Sequence, residues 1–328
     1  MTGTLQNKME QDFRTIKFNE PVFAFHKGFK LGSEVGITSS NVLFTITHVQ
    51  DEVVQYASAR GLTYMRPLWK SYFTSEYSLI MFHYLDIENA VSLAGNYSRQ
   101  LAQDALAEDS DEYADIVSLS ARQVLGATTF SGTPENPLIF LKEISSNGNT
   151  QTVDVIFPAW PFFVYTNPRW LAWLLEPLLE HQLSGQYPHR YSMHDLGAHF
   201  PNLTGHADGN DEYMPVEECG DMLIMGLSLV QSLTTHVTGK AAPLWASGTE
   251  QHPLDSPTRS TSPFALVIDE ERGSATFGID KHWAGRAQGV QLARTWLEKS
   301  FPIWKQWTEY LIDESLIPGN QRKVTCRM

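Results

Sequence analysis

The sequence predicts a mainly α protein preceded by a short β-rich stretch. Three observations carry that reading. Up to residue 80 the apolar residues alternate or are β-branched and aromatic, and from Asp86 their spacing becomes helical, with about five or six helical patterns between Ile87 and Asp313. Of the 328 residues, 42% are hydrophobic and 19% charged, a composition that packs a core rather than staying disordered.

Composition also excludes several function classes. The chain has 24 Lys+Arg against 37 Asp+Glu, a formal net charge of −13, and its pI is near 5.3. An acidic surface repels phosphate, which argues against a nucleic-acid partner. No apolar run approaches the ~20 residues that cross a bilayer, so no membrane partner is expected. The opening MTGTLQNKMEQDFRTIKF lacks an h-region, and this chain is expected to have no signal peptide of its own. Cys219 and Cys326 are the only cysteines, which rules out a disulfide framework or a cysteine-rich zinc module. Nine Trp in a chain that is 12% aromatic suit core packing first and a ligand cleft second.

Each element follows from local pattern. VFAFHKGF (Val22 to Phe29), NVLFTITHV (Asn41 to Val49) and GLTYMRPLWKSYF (Gly61 to Phe73) read as strands, broken at Gly28, Gly32, Gly36 and Gly61. Ile87 to Asp104 is amphipathic, with Ile87, Val91, Ala94, Tyr97 and Leu101 on one stripe. The acids from Asp104 to Asp115 form a solvated connection and a helix start, and Asp109 with Glu112 resembles a capping box for a helix from Asp111 to Leu125. PLIFLKEISSNGNTQTVDVIFP reads as a hairpin turning at Ser146-Asn147-Gly148-Asn149. Asn167-Pro168 reads as an N-cap with proline at the first helical position, opening a helix to Leu183 that Pro177 kinks. Residues 185–213 form a loop. Pro215 opens a helix that is apolar on nearly every side and is therefore expected to be buried. Gly239 to Gly278 is a polar connection, and Gly285 to Asp313 is one long helix or two.

The long loop concentrates the chemistry. Between Tyr191 and Gly220 it holds His194, Asp195, His199, His206, Asp208, Asp211, Glu212, Glu217 and Glu218. A long loop without secondary structure is characteristic of functional segments. Glu217 and Glu218 fall in a first helical turn, where they either complement the helix dipole or aim carboxylates into a cleft for acid–base work. Asp208 to Glu212 could offer oxygens to calcium, although turn chemistry explains Asp-Gly and Asn-Asp equally well and the EF-hand spacing is missing. The histidines lack zinc spacing. Cys219 at a helix start could gain thiolate character, against the ordinary role of a small buried hydrophobe. Asp154 follows a β-run and could point into the same cleft, but an acid at a strand end is ordinarily structural. Gly-x-Ser-x-Gly, Walker and Rossmann signatures are absent.

Several long segments resemble one family. KEISSNGNTQTVDVIFPAWPFFVYTNPRWLAWLLEPLLEHQLSGQYP, followed by YSMHDLGAHFPNLTGHADGNDEYMPVEECGDMLIMGL, resembles the central domain of the secreted fungal glutaminase A family. ADIVSLSARQVLGATTFSGTPENPLIFLKEI upstream and WLEKSFPIWKQWTEYLIDESL downstream extend the resemblance across residues 1–320. It implies a partial (α/α) six-hairpin toroid preceded by the remnant of an N-terminal β-sandwich. Residues 1–80 correspond to the end of that β-sandwich domain, 81–320 to the central domain left incomplete, and 321–328 to an aberrant tail. It also implies an extracellular amidohydrolase that converts L-glutamine to L-glutamate and ammonia without an organic cofactor; no metal ligand set is expected.

Residue chemistry, rather than the resemblance, nominates the catalytic groups. Amide hydrolysis without a serine or threonine motif favours carboxylate-activated water, with Glu217, Glu218 and Asp195 as acid–base candidates and His194 as proton shuttle or oxyanion donor. A glycosidase-like carbohydrate-processing or carbohydrate-binding protein on the same fold is the alternative, since paired carboxylates and tryptophans serve sugars too. An inactive fragment is the third reading. Family members are longer, so the ring is expected as an open arc with apolar surface exposed and Trp296, Trp304 or Trp307 partly in solvent.

Overall fold

The computed structural model describes residues 39–134, 136–143, 147–197, 199–234 and 286–317, with short stretches before residue 39. Residues 1–48 and 49–328 form two compact units. The polar connection expected over 239–278 and the tail at 321–328 lie outside the described residues.

The mainly α prediction holds. The second unit opens with strands β1 (Val54–Ser58) and β2 (Gly61–Met65), then a 3₁₀ turn over Leu68–Ser71. Helices α1 (Glu76–Leu85), α2 (Ile87–Glu108) and α3 (Asp111–Ala127) follow, and then a hairpin of β3 (Thr128–Thr133) and β4 (Asn136–Leu141). The rest comprises α4 (Val153–Thr166), α5 (Pro168–Leu183), the two-residue β5 (Asn202–Leu203), α6 (Pro215–Thr234) and α7 (Arg286–Leu316). β1 pairs antiparallel with β2 and parallel with β5, so the site loop is stitched to the first hairpin. Among the described residues, no helix is long and apolar enough to cross a membrane.

Local signals place some boundaries well and others badly. Asn167 caps α5 by accepting the Arg169 N–H at 3.1 Å, and Pro168 follows as its first residue. The cap of α3 is Ser110, which accepts from the Tyr113 N–H, and not Asp109 as the acid pattern suggested. Residues 24–29 and 41–49, read as strands, have none, and only Gly61–Met65 of the third stretch is extended. The larger correction concerns α4. Its Val153, Val155 and Ile156 look like the second arm of a hairpin around Gly148, yet the strand paired with β4 is β3 on its other side. Val153 and Ile156 are fully buried, three residues apart on a helix face, and their burial outweighs β-propensity.

α4 and α5 pack on each other and on α6, and α6 packs along α7. The shared core combines Ile139 and Phe140 of β4 with Ile156 and Phe163 of α4. It continues through Leu171, Leu174, Leu175, Leu178 and Leu179 of α5, Met222, Met225 and Leu229 of α6, and Trp307 of α7. The tryptophans expected to be partly exposed are buried: Trp296, Trp304 and Trp307 retain 6%, 8% and 0% of their surface. The Trp304 ring lies against Gly226, whose missing side chain lets α7 close on α6, and its indole N–H donates to Ser300 Oγ at 2.6 Å. α6 is not buried all round, since Ile224 and Leu227 on its far face stay about half exposed.

Candidate functional site

Two helix N-termini and one loop converge. Val153 donates its N–H to the His194 carbonyl at 2.8 Å, and Leu196 donates to the Thr150 carbonyl at 3.1 Å. Residues 150–153 therefore run alongside 194–196, which sets Asp154, in the first turn of α4, next to His194. Gln151 anchors this seam. It is fully buried at φ 59, its amide oxygen accepts the Leu141 N–H, and its NH₂ donates to the Ile139 and Leu174 carbonyls. A non-glycine residue holds that left-handed conformation only when its surroundings impose it. From the opposite side, Pro215 starts α6 and delivers Glu218 in its first turn.

Hydrogen bonds fix the loop itself. Asp195 accepts from His194 Nδ1 at 2.7 Å, His206 Nε2 at 2.8 Å and the Gly197 N–H at 2.5 Å. Asp211 accepts the His194 backbone N–H at 2.9 Å and the Tyr187 hydroxyl at 3.0 Å. Gly205, at φ +67, donates to the Leu196 carbonyl, and any Cβ there would meet the His181 ring. With Nδ1 engaged, His194 turns Nε2 toward three carboxylates: Glu212 Oε2 at 3.7 Å, Asp154 Oδ1 at 3.8 Å and Glu218 Oε1 at 3.9 Å. His194, Asp195 and Glu218 are buried to within 3% of complete, whereas the Asp154 and Glu212 side chains keep 33% and 65% of their surface. The result is a cup with a buried floor and an open, acidic mouth.

The charges in the cup shape one another. Burial, reinforced by Asp154, Asp221, Glu217 and Asp195, pushes the Glu218 carboxyl up to about 10. Burial also lifts Asp221, to about 6, with help from Glu217 and Asp154. Burial pulls the His194 imidazole down, but the Asp195 bond and the charges of Asp195, Asp154 and Glu212 outweigh it and leave it above its ordinary value. Asp195 is raised by burial and lowered more by its two histidine partners, so it stays ionised. Asp154 Oδ1 and both Glu218 oxygens are buried without a hydrogen-bond partner.

Of the sequence candidates, His194, Asp195 and Glu218 come together, while Glu217 is exposed and is not among the carboxylates facing His194 Nε2. Asp154 and Glu212 join the cup. Asp154, read from sequence as a strand-end acid that could point into the same cleft, reaches it from the first turn of α4 instead. The calcium reading of residues 208–212 finds other uses for their oxygens: Asp208 accepts from Asn210, and Asp211 tethers Tyr187 and His194. Cys219 is fully buried with its thiol pushed up to about 12 by burial, so it is a core residue and not a thiolate. A separate cavity of about 460 Å³ opens between β1, β2 and α5, lined by Tyr56, Arg60, Glu176, Glu180 and Lys299. Its acids are already satisfied: Glu176 pairs with Lys299, and Glu180 accepts from the Ala59 N–H and Tyr56 hydroxyl. In the cup, by contrast, Asp154 Oδ1 and both Glu218 oxygens lack a partner.

Fold and site together define a mainly α protein with a His–carboxylate cup at paired helix N-termini. Residues 110–244 match the glutaminase A six helical-hairpin domain, and residues 1–104 match a domain of unknown function (DUF5127). A probable glutaminase of Arthroderma benhamiae is 55% identical over 98% of this chain and 38% of its own length. Glutaminase A of Aspergillus oryzae is 37% identical over 97% of this chain and 37% of its own length. The chain belongs to the glutaminase A family. It spans under two-fifths of the length of these relatives. No solved structure matches it.

Proposed function

We propose that the protein is a glutaminase-type amidohydrolase that cleaves the side-chain amide of L-glutamine with water, giving L-glutamate and ammonia, and that it acts outside the cell. The observation that carries the proposal is the convergence of Asp154, Glu212 and Glu218 on the Asp195-oriented ring of His194. Hydrolysis forms a C–O bond from water, breaks the C–N bond and returns a proton to the leaving nitrogen. Asp154 and Glu212 reach both solvent and the interior of the cup, so they are the carboxylates placed to activate that water. Asp195 is fully occupied by its three donors and acts as a positioning residue. The names of the relatives support glutamine as the small-molecule substrate. Ammonia release from glutamine, asparagine and a panel of glycans tests the reading. Glutamine turnover without glycan cleavage supports it, and glycan cleavage without ammonia release replaces it with the carbohydrate alternative.

A further inference from the structure

The cup contains an arrangement that amide hydrolysis alone does not require. Glu218 is 1% exposed, and neither of its carboxyl oxygens has a hydrogen-bond partner. Such a group costs about 1–3 kcal/mol of desolvation unless something binds it. Asp154 Oδ1 is orphaned in the same way, and both face His194 Nε2 at distances too long for a hydrogen bond. Donation of Nδ1–H to Asp195 leaves the Nε2 lone pair directed at those carboxylates. A cation between them would take the Nε2 lone pair and both carboxyl groups as ligands, displacing the protons they otherwise hold.

The distances suit an ion. One donor atom from each of Asp154, His194 and Glu218 lies within 4.8 Å of the other two. Three such atoms share a point within roughly 2.8 Å of each, and a contraction of less than about 1 Å reaches the ~2.0–2.2 Å of zinc–nitrogen and zinc–oxygen bonds. We propose that Asp154, His194 and Glu218 bind a divalent transition-metal cation through one imidazole nitrogen and two carboxylates. Zinc suits the imidazole, and manganese suits the carboxylates. Asp195 is the outer carboxylate that fixes the ring and its tautomer, the partner a metal-bound histidine ordinarily has. Glu212, at the mouth, is left to face water on the ion. The ligands come from α4, the loop and α6, so no linear motif displays them. The assignment rests on donor geometry and stands whether or not glutamine is the substrate.

Titration of the chelator-treated, dialysed 1–328 chain with Zn²⁺ and with Mn²⁺, followed by calorimetry and metal analysis, tests this. The expected result is one ion per chain at a Kd in the micromolar range or tighter. His194→Ala and Glu218→Gln each weaken it by ~100-fold or more, Asp195→Asn by ~10–100-fold, and Glu217→Gln leaves it unchanged. If Glu218→Gln does not fold, Asp154→Asn at the open mouth serves in its place with the same expectation. A folded wild-type chain that takes up neither ion, or unchanged affinity in His194→Ala or Asp154→Asn, overturns the proposal. Metal binding without ammonia release removes only the glutaminase reading; ammonia release by a chain that binds neither ion removes only this one.

Discussion

Gly205→Ala measures how tightly the site loop is held. Gly205 sits at φ +67 in the site loop, facing the His181 ring of α5. An L side chain in that region costs roughly 1–2 kcal/mol. The added methyl would also press on three atoms of the His181 ring, which is fully buried and cannot swing aside without breaking its Nδ1 bond to the Ala57 carbonyl at 2.7 Å. Overpacking of this kind costs about 1–3 kcal/mol, for a total of roughly 2–5 kcal/mol. Gly185 provides the control. It has φ +77 with nothing within 4 Å of where an added methyl would lie, so Gly185→Ala carries the backbone cost alone. Urea unfolding of both variants, with equal m-values, should show the Gly205 change costing at least about 1 kcal/mol more. Equal midpoints for the two would refute the contact between loop and ring on which the loop's placement rests.

Other expectations concern residues around the site. Burial holds His181 below its ordinary value, despite the opposing bond that Nδ1 donates to the Ala57 carbonyl. The folded state therefore prefers the neutral ring, and the contribution of His181 to stability should be complete above the unfolded value of ~6.5 and fall as pH drops below it, opposite in sign to those of His194 and His206. His181→Asn should flatten that acid limb in urea midpoints measured from pH 5 to 8. Gln151→Ala strands the Leu141 N–H and the Ile139 and Leu174 carbonyls, a loss of about 3 kcal/mol or more by the same unfolding assay. Cys219 should resist a thiol reagent in the native chain and react only on unfolding, because its sulfur is fully buried and accepts the Ser192 N–H.

The sequence displayed the elements that carry strong local chemistry. Asn167-Pro168 fixed the start of α5, Pro215 fixed the start of α6, and the glycine-punctuated loop between them held His194, Asp195, Asp211 and Glu212 of the site. Tertiary packing decided the rest. Val153, Val155 and Ile156 carry strand propensity but bury a helical face, and Pro158 and Pro161 inside α4 add misleading breaks. That misreading made Asp154 a strand-end acid instead of a helix-start one. Glu217 and Glu218 are neighbours in the sequence and equivalent as helix-start acids. Only the rotation of α6 against α4 and α7 sends one to solvent and the other into the cup. The tryptophans of α7 looked exposable because half a ring was expected to leave them bare, yet α5 and α6 cover them.

That difference between adjacent glutamates gives the most direct test of the cup as the reaction centre. Glutamine turnover, measured as ammonia release, should be compared in wild type, Glu218→Gln and Glu217→Gln, with folding checked by circular dichroism. The account predicts a fall of ~10²–10⁴-fold for Glu218→Gln and turnover within about threefold of wild type for Glu217→Gln, whose exposed carboxylate does not face His194. Wild-type turnover in Glu218→Gln, or a larger loss in Glu217→Gln, would contradict it.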